Sequence, residues 1–200
     1  MKTIFLSFTF SAIMMLVGCS SVSTTSHYYL LNKPPTGQEV ALISKSESSK
    51  KAKALSTVKV QLASYLNQPY IVMQLGSHKI HYSTFHLWAE PLLVGVKKSL
   101  LADLNNNNQK IAFISEKFND KRQPSEKLTV TIDYFHINND STVILSGQYY
   151  AQKPNGVIIG AAQPFFFKQQ LAADGYDQAI TQQRDLITEL AKNILIKLEA

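Results

Sequence analysis

The chain has 200 residues, 45% of them hydrophobic, and its 20 Lys and Arg outweigh 14 Asp and Glu for a formal net charge of +6. That length suits one domain with a substantial core, and a single cysteine excludes an intrachain disulfide. The basic excess is modest and scattered; its densest group, Lys45, Lys50, Lys51 and Lys53, lies among serines and alanines and reads as a solvated loop.

The first nineteen residues are MKTIFLSFTFSAIMMLVGC. Lys2 supplies a positive start, and Ile4 to Val17 form an apolar run broken only by Ser7, Thr9 and Ser11. The run is too short to span a bilayer and fits an export signal over residues 1–18. Leu16-Val17-Gly18-Cys19 resembles the bacterial lipobox, in which small residues precede the cut and a thiol receives diacylglycerol. The resemblance implies cleavage before Cys19 and acylation of its sulfur and new amino group; two or three acyl chains give stable anchoring where one does not. The plain alternative is a buried cysteine closing an apolar segment. By resemblance to enteric lipoproteins, Ser20 favours transit to the outer membrane. Export would also separate the chain from nucleic acid. Residues 19–26 then form the lipidated start and a short polar tether, which reaches only roughly 23 Å from residue 20 to residue 26 at ~3.3 Å per residue.

Residues 27–200 read as one domain. His27 to Leu31 suggest a strand, and Asn32 to Ser56, with Pro34-Pro35, Gly37 and a Ser/Lys-rich stretch, a long surface loop with a short strand at Val40–Ile43. Val58 to Leu62 alternate with period two. Tyr65 to Pro69 turn the chain, and Tyr70–Leu75 and Lys79–Tyr82 form two strands around Gly76-Ser77. Pro91 marks a first helical turn, after which Leu92, Val96, Leu100 and Leu104 make an apolar stripe widened by Leu93 and Leu101, leaving Lys97, Lys98 and Asp103 to water. Asn105 to Asn108 end that helix.

Ile111 to Ser115 form a short strand. Leu128 to Ile137 alternate, with Leu128, Val130, Ile132 and Tyr134 on one face. Thr142–Tyr150 and Val157–Lys168 flank Asn155-Gly156, a hairpin turn pair, and Pro164 interrupts the second strand or puts it at an edge. A terminal helix starts at Asp174 or Asp177, with Tyr176, Ile180, Ile187, Leu190, Ile194 and Leu198 on its apolar side and Gln182, Gln183 and Arg184 mostly elsewhere on the surface. The expected class is α/β, a single domain with a largely antiparallel mixed sheet and two principal amphipathic helices.

Tyr65-Leu66-Asn67-Gln68-Pro69-Tyr70-Ile71-Val72, followed by Phe85-His86-Leu87-Trp88-Ala89-Glu90-Pro91-Leu92, resembles the auxiliary lipoproteins of ABC-type lipid transport, the PqiC/YmbA family. The similarity spans essentially the mature chain and is strongest from Trp88 to Leu92. Leu87 and Gln68 stand where the family usually carries basic residues, so a partner contact made by those residues would differ here. The resemblance implies a non-enzymatic lipoprotein on the periplasmic side of the outer membrane, working with a PqiB-like MCE-domain conduit and a PqiA-like integral membrane protein to carry lipids between the two membranes. It is also compatible with homo-oligomers.

Trp88, Glu90 and Pro91 then admit two readings. Trp88 is either an aromatic anchor at an interface or a packed corner ahead of the helix, with Glu90 accepting hydrogen bonds from the first turn. Tyr149, Tyr150 and Phe165 to Phe167 concentrate aromatic surface that is mainly core, with an exposed subset open to lipid or partner. His78, His81, His86 and His136 lack the spacing of a zinc motif, and no local nucleophile pattern or phosphate loop is present; no catalytic, cofactor or metal residue is assigned. A structural lipoprotein of another secretion or envelope assembly, and a periplasmic hydrolase with a dispersed site, are the competing classes.

Overall fold

The computed structural model describes residues 25–33, 54–108, 110–116 and 126–199. The export signal, Cys19, Ser20, and the short strand expected at Val40–Ile43 lie outside them. Among the described residues eight strands form one sheet: β1 (His27–Tyr29), β2 (Ala54–Leu62), β3 (Tyr70–Gln74), β4 (Ile80–Trp88), β5 (Ile111–Ser115), β6 (Glu126–Asn138), β7 (Thr142–Gln152) and β8 (Ile158–Gln170). A 3-10 turn, Ser64–Leu66, links β2 to β3, and the helices are α1 (Leu92–Asn106) and α2 (Tyr176–Glu199).

The long strand β6 is the spine. One of its edges pairs antiparallel with β7, which pairs antiparallel with β8. The other edge is shared end to end: β2 runs parallel to residues 126–132, and β3 runs parallel to Ile137 and Asn138. From there the sheet forks, with β5 parallel to β2 and β4 antiparallel to β3, and β1 parallel to β4 at the far edge. The mixed sheet with two helices is the expected class, and the long antiparallel pairings at β6–β7–β8 supply about half of its ladder.

Both helices pack against the sheet and each other. The alternation of Val58, Val60, Leu128, Val130 and Ile132, and of Val143 and Leu145, meets Val96, Leu100 and Leu104 of α1 and Ile187, Leu190 and Ile194 of α2 in one core. Each fully buried aliphatic side chain there stabilises the fold by about 1.5–3 kcal/mol.

Two details of the periodic reading change. The pairing of β6 with β7 slips between Ile132 and Tyr134, so Asp133 is an extra residue and every later side chain changes face. Tyr134 is therefore 50% exposed rather than aligned with Ile132, and Phe135 and Ile137 continue the core. On the helices, Asp103, Gln182 and Gln183 are buried rather than facing water. Arg184 grips the Asp103 carboxylate with both terminal nitrogens at 2.6 and 2.7 Å, and the Thr188 hydroxyl accepts from Arg184 at 2.7 Å and donates to Asp103 at 3.0 Å. Pro164 lies within β8, an edge strand, where its missing N–H is tolerated.

On the face of the sheet away from the helices, His136 is fully buried. Gln74 donates its amide to the carbonyls of Gly76 and Ser77, so its Oε1 accepts from His136 Nε2 at 2.8 Å. That fixes the neutral tautomer with its proton on Nε2; Nδ1 lies 3.0 Å from the Tyr65 hydroxyl, whose single proton is shared with the Asp133 carbonyl at 3.1 Å. Burial holds His136 down to about 4, below its ordinary 6.5. The unfolded chain thus binds a proton between pH 6.5 and 4 that the fold refuses. Stability contributed by neutral His136 is complete above pH 6.5 and lost as pH falls to about 4, a swing of up to about 3 kcal/mol. Denaturant unfolding from pH 7.5 to 4 should show this decline, and His136→Gln should flatten it, leaving the smaller same-sign slope from His86, whose pKa is also lowered by burial and then by His27.

Candidate functional site: the corner between β4 and α1

The Trp88–Leu92 segment joins the end of β4 to the start of α1, and three elements converge on it. The Trp88 N–H donates to the Pro69 carbonyl at 2.7 Å, which seats the 67–69 turn. The Ala89 N–H donates to the Tyr29 carbonyl at 2.8 Å, which seats β1. Pro91 lies at the N-cap, one residue earlier than the first helical position expected of it, with extended backbone (φ −51, ψ 129). Its carbonyl accepts from Val94 at 2.8 Å and Gly95 at 3.3 Å.

Trp88 is buried among core residues. Glu90 does not cap the first turn; no side-chain cap bond forms there. Its carboxylate instead reaches Lys98 at 2.6 Å, an exposed pair worth at most about 1 kcal/mol. Around this corner opens a groove of about 380 Å³, lined by Asn67, Gln68, Pro69, Ala89, Pro91 and Leu93, with Trp88 and Leu92 in its floor and Glu90 at its side. Its walls are mostly apolar. A larger concavity between β8 and α2 is walled by Lys168, Asp185, Glu189 and Lys192; opposite charges alternate around it, so it presents neither an apolar seat nor one sign of charge. Gln68, one of the two departures from the family pattern, lies in the corner groove, whereas Leu87 pairs with Tyr70 and Tyr28 in the sheet.

The structure adds a clamp beside the corner that periodicity did not reveal. Leu31 is buried against Gly95, where an added Cβ would stand 3.3 Å from the Leu31 Cβ. Asn32 donates to the Gly95 carbonyl at 3.1 Å and its Oδ1 accepts from Ser99 at 2.5 Å. Asn32, expected as the first loop residue, is thus bonded to α1. Small residues four apart on a helix, Gly95 and Ser99, were the available signal for a close-passing chain. On the other side of β1, the His86 ring stacks on Tyr176 at 3.7 Å and on His27 at 5.3 Å, and its Nδ1 lies 2.8 Å from the Tyr29 hydroxyl. Burial, then Asp177 and Tyr176, raise the Tyr29 pKa above its ordinary range.

Such a corner holds strands, turn and helix in fixed relation and offers an apolar seat; it brings no nucleophile and base together. The dispersed histidines stay apart: His78 is in the β3–β4 loop, His81 on β4, His86 in the stack and His136 under the opposite face. Among the described residues no three His, Cys, Asp or Glu converge as a metal site, and no helix is long and apolar enough to cross a membrane.

The model of the ABC-type transport auxiliary lipoprotein component matches residues 29–195, from β1 through nearly all of α2 and across the corner. The chain belongs to this family. Among curated proteins it is similar to the intermembrane transport lipoproteins PqiC of Escherichia coli K12 and Shigella flexneri, 26% identical over 169 residues and 84% of each chain. The fold recurs in the crystal structure of an uncharacterized protein (TM-score 0.69, 22% identity, 87% of this chain and 99% of that one). It also recurs in a Xanthomonas campestris protein (TM-score 0.59, 13% identity, 70% and 80% covered). The family assignment supports a general accessory role in transport for this auxiliary lipoprotein.

Proposed function

We propose that this protein is a non-enzymatic lipoprotein, acylated at Cys19 and sorted by Ser20 to the outer membrane, that docks the distal end of a PqiB-like MCE-domain conduit for lipid passing between the membranes. A PqiA-like integral membrane protein completes the assembly. The observation that carries the reading is the family match running unbroken through the corner. The corner's chemistry in this chain is architectural: it ties β1, which follows the tether, to the helix that forms one wall of an apolar groove. That groove is the docking seat, and its lack of a basic residue at position 68 makes the contact depend on apolar burial.

The test is capture from detergent extracts. The intact lipoprotein should bring down an MCE-domain protein, and Leu93→Glu, which places a charge in the groove wall, should lower recovery at least ~10-fold if it removes a central contact of about 1.4 kcal/mol or more. Leu93 is half-buried against the core, so the melting temperature should fall, and circular dichroism at the capture temperature should still match the parent. No capture by the parent in detergent or in bilayer mimetics would overturn the docking role, and a stable envelope complex lacking any MCE protein would assign it to another assembly. Independently, Cys19→Ala should abolish acyl labelling and membrane retention; persistent labelling would remove the anchor.

A further inference from the structure

The β7–β8 hairpin ends in a finger that the core does not use. Beyond Tyr149 the pairing with β8 slips, so that Tyr150 faces three residues, Gly160 to Ala162, before Ala151 pairs with Ile159 and Gln152 with Ile158. Gly160 takes φ +70, a left-handed geometry suited to glycine, and turns the finger away from the regular ladder. The tip is closed by Lys153 N–H to the Val157 carbonyl at 2.8 Å and Gly156 N–H to the Lys153 carbonyl at 2.9 Å, with Gly156 at φ +86. Its turn, Lys153 to Val157, projects past Lys127, the last β6 residue paired with β7, while Ile158 and Ile159 lie on the β8 edge beside Gln152 and Ala151, which β6 still flanks.

Three consecutive aliphatic side chains occupy the tip strand: Val157 is 54% exposed, Ile158 50% and Ile159 37%. Neighbouring side chains of a strand point to opposite faces, so the finger is apolar on both. A protein groove or a second copy laid on this ribbon would cover one face and leave the other in water. An apolar medium that surrounds the ribbon covers both. The charge pattern agrees: from residue 141 to 173 there is no Asp or Glu, and Lys153 stands at the tip itself. Tyr150 lies at the root of the finger, where an amphipathic ring suits the headgroup level.

We propose that the finger, Lys153 to Ala162, is a second membrane contact. It seats Val157, Ile158 and Ile159 at the headgroup–acyl boundary of an anionic phospholipid leaflet, with Lys153 on the lipid phosphates. It rests on the proposed function only in that the acylated Cys19 holds the domain at a bilayer, and not on the MCE partner; β1 joins the sheet towards the C-terminal end of β6 and the finger lies at its N-terminal end, so the domain lies along the leaflet for both to touch. Two contacts, anchor and finger, fix the orientation of the domain on the membrane, which a single point of attachment does not.

The test reconstitutes the full lipoprotein into phosphatidylethanolamine/phosphatidylglycerol vesicles. A polarity-sensitive dye is attached at Ile158→Cys or, as control, at Asn139→Cys in the exposed β6–β7 turn, and the parent labelled in parallel gives any signal from Cys19. Dye at 158 should shift to the blue and be quenched by brominated acyl chains at least ~3-fold more than dye at 139, as an interfacially seated side chain requires. Val157→Ser with Ile159→Ser should remove that excess while leaving capture of the MCE protein unchanged. Equal quenching at the two sites overturns the proposal. So does a dye at 158 that is shielded from water without being quenched, since another protein surface or a second copy then covers the finger. Loss of capture in the serine variant also overturns it, making the finger a docking surface, whereas failed capture by the parent bears only on the proposed function.

Discussion

Gly147→Ala should cost about 3 kcal/mol or more and lower the melting temperature by roughly 10 °C, a far larger effect than one methyl group on a strand normally has. Gly147 pairs with Ile132, immediately before the extra residue Asp133. The twist that this bulge imposes brings the Thr131 carbonyl to within 2.0 Å of where an alanine Cβ would stand, with the Ile132 Cα at 3.0 Å. The obstacle is backbone, so no rotamer relieves it; the β6–β7 ladder has to open or shift register. Because β6 carries β2, β3 and β7, that shift reaches most of the sheet. Gly76→Ala, where no atom lies within 4 Å of the added carbon, is the control and should be nearly silent. Thermal unfolding followed by circular dichroism decides the matter, and equal melting temperatures for the two variants would refute the close-approach account.

Asp103→Ala should destabilise by about 3 kcal/mol, because it strands a guanidinium whose partner carboxylate is nearly buried between two helices. Arg184 and Asp103 expose 24% and 10% of their side chains, so the stranded charge recovers only part of its hydration. Thr188 loses its acceptor at the same time. The double variant Asp103→Leu with Arg184→Met should regain most of the loss, since an apolar pair of similar volume carries no desolvation cost. The quantity to measure is the coupling energy of the double-mutant cycle in urea. Additive losses would show that the bidentate pair contributes nothing of its own.

Most elements were legible because their cause is local. Period two marked β2 and the first half of β6, the four-residue recurrence of Leu92, Val96, Leu100 and Leu104 marked α1, and Asn155-Gly156 marked the hairpin. What escaped had its cause elsewhere in the chain. Tyr134 departs from the alternation because Asp133 is extra, and period-two reading assumes no insertions; the outward sign was a glycine, Gly147, inside the facing strand. Asp103 and Arg184 each look like surface charges on an amphipathic helix, and only the α1–α2 packing, 81 residues apart in sequence, pairs them. β4 extends through Trp88 because its last residues pair with β1 and Tyr70; Thr84, Phe85 and Trp88 suit a strand by type, but no regular polar–apolar alternation marks it. The corner was recognisable through family resemblance rather than periodicity, and of its clamp only Gly95 and Ser99, four apart on α1, left a mark in the sequence, with nothing to point to Asn32 as their partner.

The clamp also determines how the domain would respond to a pull. β1 is only three residues long and parallel to β4, so a tug arriving through Ser26 meets few ladder hydrogen bonds. Immediately behind it, the Leu31 side chain is wedged at Gly95 and Asn32 is bonded to α1. Tension entering at the N-terminus is therefore handed to the first two turns of a buried helix before it can peel the sheet from its edge. A short strand is thereby made into a mechanical fastening, with the resistance placed one step inside the point of attachment.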